Sequence, residues 1–390
     1  MLKNLKVLEL ASVLAGPSVG QFFAELGADV IKVENLRTGG DVTRSWKTAG
    51  ENTDDRSAYF CSVNWGKKSV AVDLNTTEGK SVVQKLATKS DIVIASYKPG
   101  DAAKLGVAYE QLTSNNRQLI YGQITGYGSD NDRVGYDAVI QAESGFVDLN
   151  GEKNGEPIKM PIALIDVLAG HHLKEGLLLA LLHRERTGEG SLVEVSLIQA
   201  AVSSLVNQAS NWLVGKKLPV RQGSAHPNIA PYGESFITKD NKRVLLAVGN
   251  DRQFFDLIKV LGIGHEGLGI GHEVLGIGHE VLGSKFSTNQ LRVENRTALN
   301  VLLQDRIGKM ESKFFLDKAN EKKIPAGIIQ NVKEVFEMKE ANELLIQAEG
   351  LIGVRGFAAS SASWNRHDLM PPPHFGEHTE EVLKMLHSSG

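Results

Sequence analysis

The stretch VLELASVLAGPSVGQFFAELGADVIKVE, residues 7–34, reads as strand, loop, helix and strand. Val7-Leu8-Glu9-Leu10 is an apolar run of strand length, and Ala15-Gly16-Pro17-Ser18 carries loop residues. Val19 to Leu26 has a helical apolar pattern that Gly27 ends, and Asp29 to Val33 is a second strand closing at Glu34. A strand, a crossover helix and a second strand place both strands parallel in one sheet. The rhythm continues through strand Ser69 to Leu74, helix Glu78 to Thr88, strand Asp91 to Ala95, the turn Pro99-Gly100 and strand Gln118 to Ile124. The expected fold is α/β, a Rossmann-like parallel sheet covered by helices.

Further along, a polar, Gly-rich stretch from Thr125 to Gly135 leads into a helix beginning near Asp137. Pro161 to Ile165 is strand-like, Val167 to Arg186 is a long helical pattern, and Thr187-Gly188-Glu189-Gly190 is the turn that closes it. Strand Ser191 to Val195 then feeds a helix from about Leu197 to Val214. Pro219, Gly223, Pro227 and Pro231 mark a domain boundary. Beyond it, Glu234 to Thr238, the turn Lys239-Asp240-Asn241 and Arg243 to Val248 predict an antiparallel hairpin, with helices at Asp251 to Leu261 and Asn289 to Ile307. The predicted organisation is a large α/β domain over 1–215, a linker over 216–231, a smaller α+β domain over 232–330, and a segment over 331–390 returning to the large domain.

Composition narrows the function classes. The 390 residues exceed what one hydrophobic core usually serves, and 42% apolar with 23% charged residues is ordinary globular usage. With 43 basic against 46 acidic residues there is no electrostatic case for nucleic acid or an anionic membrane. The single cysteine, Cys61, excludes an intramolecular disulfide and fits a reducing compartment; within Tyr59-Phe60-Cys61-Ser62-Val63 it reads as a structural thiol on a buried strand or helix. Met1 to Lys6 carries no signal-peptide core and no apolar run is long enough to span a bilayer, so the expectation is a cytoplasmic protein.

The segment from Leu261 is repetitive: Leu-Gly-Ile-Gly-His-Glu-Gly at 261–267 is followed by Leu-Gly-Ile-Gly-His-Glu-Val at 268–274 and 275–281. Its His265, His272 and His279 recur every seven residues, a spacing that would line one helical face. The first copy also holds three glycines and the other two hold two each. A glycine costs about 1 kcal/mol in a helix interior, which leaves a poor scaffold for metal ligands. Tandem duplication in a tolerant surface loop is the reading adopted, and no metal site is expected.

Asp166 stands where the strand-like run meets the long helix. A carboxylate at a helix N-terminus is held ionised by the helix dipole and free N–H groups, the state in which it attacks a carbonyl. Asp is also a preferred helix cap, and the two roles are compatible. A competing reading takes the opening βαβ unit as a dinucleotide site, with Glu34 holding a ribose hydroxyl in a NAD-dependent oxidoreductase. The turn Ala11-Ser12-Val13-Leu14-Ala15-Gly16-Pro17 lacks the glycine fingerprint that reading needs. No H-E-x-x-H, G-x-S-x-G or Walker pattern occurs, and His171-His172 point about 100° apart on a helix, which rules out shared ligation.

Several motifs together resemble the class III CoA-transferase family typified by formyl-CoA transferase. They are Val7 to Leu10 with Leu14-Ala15-Gly16-Pro17, Leu26 to Glu34, Gly40-Asp41-Val42-Thr43-Arg44, Lys67-Lys68-Ser69, Lys98-Pro99-Gly100, Thr125-Gly126, Gly135-Tyr136-Asp137, and Gly176 to Glu185 with Arg186 to Gly190. The second half adds His226 to Tyr232, Val248 to Phe254 and Ile324-Pro325-Ala326-Gly327. The resemblance implies that Asp166 is a covalent nucleophile, that coenzyme A and acyl-CoA are substrates with no tightly bound cofactor, and that the other partner is a carboxylate. It implies CoA contacts at Leu14, Ala15, Val72 to Asn75, Ser96, Tyr97, Lys98, Lys104 and Val134, Gly135, Tyr136, Asp137. It also implies an interlaced homodimer joined through long linkers, the run Gly215 to Pro231 being the first.

Where family members carry Glu-Asn-Phe before the Pro-Gly turn, this chain has Ala95-Ser96-Tyr97, and Lys104 replaces a common Arg. No multi-glycine loop precedes Tyr232, which points away from formyl and oxalyl substrates. The related α-methylacyl-CoA racemases use a Gly-His-Asp motif. Here the middle residue is Tyr136, and a phenol with a pKa of about 10 is a poor base near neutrality, so transfer is favoured over racemisation. The segments around His226 and Gly249-Asn250-Asp251 are similar to members that use succinyl-CoA and dicarboxylic acids, for which Arg44, Arg221 and His226 are candidate end-pocket cations.

Overall fold

The structure, a computed structural model, describes residues 2–263, 285–363 and 366–388. The histidines of the repeat lie outside them. Two compact units are present: Met1–Val147 with Lys159–Ala209 and Lys339–Gly390, and Asp148–Ile158 with Ser210–Met338.

The first unit is built on six parallel strands, β1 (Lys6–Leu10), β2 (Asp29–Asn35), β3 (Lys67–Val72), β4 (Ile92–Ala95), β5 (Ile120–Thr125) and β6 (Leu192–Ser196), in the order β3-β2-β1-β4-β5-β6. The order reverses between β1 and β4. In open α/β sheets the crevice beyond the carboxyl ends of the strands at such a reversal is where ligands bind.

Along the chain the helices are α1 (Ala15–Glu25), α2 (Ala58–Cys61), α3 (Thr77–Thr88), α4 (Asp101–Lys104), α5 (Tyr109–Thr113), α6 (Asp137–Glu143), α7 (Phe146–Leu149), α8 (Leu164–Thr187), α9 (Leu197–Ser203) and α10 (Val206–Leu213). Side chains alternate across a strand, so β1 sends Val7 into a core with Phe23 of α1 and Ile165, Ala169, Leu173 and Leu177 of α8. Leu8 and Leu10 enter the opposite core with Val83 and Leu86 of α3. Both faces being covered explains why the strands read as nearly continuous apolar runs.

In the second unit β7 (Tyr232–Ile237) and β8 (Arg243–Ala247) form the predicted hairpin, turning at Asn241 with φ 57°. Helices α11 (Asp251–Val260), α12 (Asn289–Glu294), α13 (Arg296–Ile307) and α14 (Ser312–Glu321) follow, then β9 (Ala326–Ile328), antiparallel to β8, and α15 (Val332–Val335). Phe236, Val244, Phe254, Leu257, Leu299, Leu303 and Phe315 make its core. The chain ends with α16 (Lys339–Asn342), the hairpin β10 (Leu345–Ala348) and β11 (Leu351–Val354), and α17 (Thr379–His387), whose Val382 and Leu386 are buried with β3 and α3.

Four local expectations need correction. Ala15 to Ser18 is helix rather than loop: Pro17 sits in the first turn of α1, where its missing N–H has no intrahelical partner to lose. Pro161 to Ile165 is not a strand, because α8 already begins at Leu164. The helix predicted over 197–214 is two, broken before Val206, whose φ of 46° is not helical. The helix predicted over 289–307 is likewise interrupted at Asn295, whose side-chain amide donates to the Leu291 carbonyl at 2.8 Å. Among the described residues no helix is long and apolar enough to cross a membrane.

Candidate active site

The loops after β1, β4 and β5 and the starts of α6 and α8 enclose a cleft in the first unit, lined by Ser12 to Gly16, Ser96 to Pro99, Thr125, Gly126, Arg133 to Asp137 and Asp166. It lies at the strand-order reversal. Of the residues singled out from sequence, Leu14, Ala15, Ser96, Tyr97, Lys98, Val134, Gly135, Tyr136, Asp137 and Asp166 come together here. Val72 is buried at the end of β3, Asn75 is exposed with its amide donating to Asp73, and exposed Lys104 donates to Asp101 at 2.8 Å. None of these three lines the cleft.

Two glycines set the cleft wall. A Cβ on Gly135 would stand 2.5 Å from the Gly126 Cα, and one on Gly126 would stand 2.7 Å from the Gly135 Cα. Only glycine at both positions lets the 133–137 loop close onto the end of β5. A third glycine, Gly170, lets α8 meet α1, since a Cβ there would come within 2.5 Å of Ser18 Oγ and 3.2 Å of the Ala15 carbonyl oxygen.

Asp166 is in the first turn of α8, 8% exposed. Among the described residues no group donates a hydrogen bond to its carboxylate. Burial, and then the charge of Asp137, push its pKa up to about 7. This departs from the expectation that the helix terminus alone keeps it ionised: burial and the neighbouring Asp137 charge both disfavour the ionised form. The capping role belongs to Asp137, which accepts the Ile165 N–H at 2.7 Å and the Gln141 amide at 2.7 Å. Fully buried Gln141 also donates to the Ile162 carbonyl and accepts the Met160 N–H, which fixes the turn leading into α8. Asp137 thus faces the cleft with both carboxylate oxygens already engaged.

Lining the same cleft as Asp166, α1 begins without a side-chain cap, so the N–H groups of Ala15 and Gly16 stand free there among the described residues. Exposed Lys98 is at the rim, and burial pushes the Tyr97 phenol up to about 12.

Two residues escaped the sequence reading. Tyr59 on α2 has its phenol pKa raised by burial and by the charges of Asp166, Asp137 and Asp41, which brings it near the carboxylates; its ring meets Trp46 edge-on at 5.2 Å. Arg133 stacks on Tyr127 at 4.2 Å and pairs with Glu143 at 2.5 Å. Nothing in local pattern marks either, because each acts through folding partners.

Other readings fail on geometry. The Glu34 carboxylate accepts from Arg44, the Asp41 N–H and Ser69 Oγ, leaving none for a ribose. Arg44, buried and shared between Glu34 and Asp55, is equally unavailable to a substrate carboxylate. In the second unit Arg221 donates to Asp148, while His226 Nδ1 accepts the Asn228 N–H. Asp54, Asp55 and His374 have ligand atoms within 4.8 Å of one another, yet Asp54 is bound to Arg56 and Asp55 to Arg44 and His374. His172 meets Ser203 and Glu175 and is not among the lining residues. Burial raises the Cys61 thiol to about 11, so it is not a nucleophile at neutral pH.

The family model described as CoA-transferase family III matches residues 2–379. The chain is 36% identical to a succinate–glutarate CoA-transferase of Agrobacterium fabrum, over 99% of this chain and 95% of that one. It is 34% identical to the succinyl-CoA:glutarate CoA-transferase of Homo sapiens, over 98% and 85%. Among solved structures, a CAIB/BAIF family protein from Brucella suis superposes with a TM-score of 0.84 at 36% identity, covering 98% of each chain. Rv3272 from M. tuberculosis gives 0.81 at 28% identity, over 97% and 98%.

Proposed function

The chain belongs to CoA-transferase family III and moves CoA between an acyl-CoA and a free acid, and we propose that it does so through Asp166, with succinyl-CoA as donor and a glutarate-like dicarboxylate as acceptor. The observation that carries this reading is Asp166 itself: a buried carboxylate that among the described residues has no hydrogen-bond donor, set at the strand-order reversal in a cleft that Ala15 and Gly16 at the start of α1 also line. A carboxylate deprived of solvent and donors is a stronger nucleophile once ionised.

The Asp166 carboxylate attacks the thioester carbonyl, giving a mixed anhydride and CoA thiolate. The thiolate attacks the Asp166 side of the anhydride, releasing the donor acid and leaving an aspartyl-CoA thioester. The acceptor carboxylate attacks that thioester, again giving an anhydride and thiolate, and the thiolate takes the acceptor acyl group to restore Asp166. Bonds and charges balance without ATP or metal. The Ala15 and Gly16 N–H groups receive the oxyanion of each tetrahedral intermediate, and Lys98 takes a CoA phosphate at the rim. Leu14, Ser96, Tyr97 and Val134 to Tyr136 hold the pantetheine arm.

A homodimer is part of the same reading. Within the first unit, Leu178, Leu179 and Leu182 of α8, Val202 of α9 and Val206 at the start of α10 are all exposed, an apolar series that a second copy would cover. The test of function is formation of glutaryl-CoA from succinyl-CoA and glutarate. Wild type is expected to turn over, and Asp166→Ala to lose about 10³-fold or more, as for removal of a nucleophile. Wild-type turnover with other acyl-CoA and acid pairs but not this one would overturn the substrate assignment.

A further inference from the structure

Val13 adopts φ 72°, a left-handed conformation that a β-branched residue enters only under constraint. It sits in the turn between β1 and α1, on the cleft wall. The constraint is visible. Lys32 Nζ donates to the Ala11 carbonyl at 2.8 Å and lies 2.9 Å from Asp41 Oδ2. The Asp41 carboxylate accepts the Val13 N–H at 3.2 and 3.3 Å. One ion pair therefore grips the turn at both ends, by a carbonyl and by an N–H two residues later.

The grip is itself anchored. Lys32 also binds Glu9, and Glu9 pairs with Lys67; the side chains of Lys32, Asp41, Glu9 and Lys67 are all 0–1% exposed. Asp41 accepts from the Thr43 N–H and hydroxyl, and its own N–H is held by Glu34. From the far side of the cleft, Ser96 Oγ accepts the Ser12 N–H at 3.4 Å. Backbone strain of this kind persists only where the surroundings over-determine it, and it clusters at functional sites.

We infer that the Lys32–Asp41 pair is a positioning device for the transfer reaction: it holds Val13 left-handed so that the next residues turn the free N–H edge of α1, at Ala15 and Gly16, toward Asp166. This rests on the reading of Asp166 as nucleophile. Asp41 is a positioning residue, acting on the reacting atoms only through Val13. Its charge matters because a neutral side chain would leave Lys32 half-paired and free to release the turn.

The test combines Asp41→Asn with Val13→Gly, since glycine reaches a positive φ without a Cβ penalty. CoA transfer is measured per folded enzyme, well below the melting transition. Asp41→Asn is expected to lower kcat by about 10²-fold, the loss typical of a misplacement of about 1 Å. Adding Val13→Gly should recover at least about tenfold of it, whereas a purely structural Asp41 would lower the melting temperature and leave kcat of the folded fraction unchanged. No loss in the single variant, or no recovery in the double, overturns the inference. Should Asp41→Asn not fold, Val13→Gly against Val13→Pro decides: proline cannot reach φ 72° and offers no N–H, so it should turn over at least about tenfold more slowly. Equal rates overturn the proposal. Wild type inactive toward acyl-CoA and acid pairs would instead count against Asp166 and the cleft as the site of transfer.

Discussion

Asp166 ties mechanism to pH. A nucleophilic carboxylate must be ionised, and with burial and the charge of Asp137 pushing its pKa up to about 7, protonation competes with ionisation around neutrality. The kcat/KM profile is predicted to rise with unit slope through about pH 7 and then level, because kcat/KM reports ionisations of the free enzyme. A profile flat from pH 5 to 9 would contradict it. The same shift bears on stability. An Asp with an ordinary pKa of 3.8 when unfolded and about 7 when folded holds its proton longer in the folded state. Its contribution is full below about pH 4 and is lost as pH rises through 7, on the order of 4 kcal/mol at most. Asp166→Asn should therefore melt higher than wild type at pH 8, with the gap shrinking toward pH 4. An equal or lower melting temperature at pH 8 would show that the carboxylate is not desolvated.

At the scale of elements, the site depends on how closely α8 approaches α1. Gly170→Val would drive a branched side chain into Ser18 Oγ and the Ala15 carbonyl. We predict a destabilisation of about 1–3 kcal/mol, as for overpacking elsewhere, with activity lost out of proportion because Asp166 lies one turn away. A melting curve beside kcat checks both. Asp137→Ala removes the cap of α8 and should cost about 1–2 kcal/mol by denaturant titration. The strands were legible in the sequence because a sheet covered on both faces demands apolar runs. The start of α8 was not, because its cap comes from Asp137, 28 residues earlier than Ile165, and no local pattern reveals a donor so distant. Arg44 was misread for the related reason that Glu34, its partner, is identified only once β2 and the 41–45 turn are folded together.

Across the whole molecule, relatives align from end to end, so transfer chemistry was readable from ordered motifs that individually mean little. The ion-pair network under Val13, by contrast, joins β1, β2, β3 and the Asp41 turn, and it appears only when all four are assembled. Equilibrium sedimentation at micromolar concentration is predicted to give a dimer; a folded monomer would contradict the exposed apolar series of Leu178, Leu179, Leu182, Val202 and Val206 as a subunit interface. The central claim is covalent. Incubation with succinyl-CoA, followed by borohydride or hydroxylamine trapping and peptide mass mapping, is predicted to modify Asp166 in wild type and nothing in Asp166→Ala. Modification at another residue, or turnover without any adduct under conditions that trap acyl-enzymes, would contradict it.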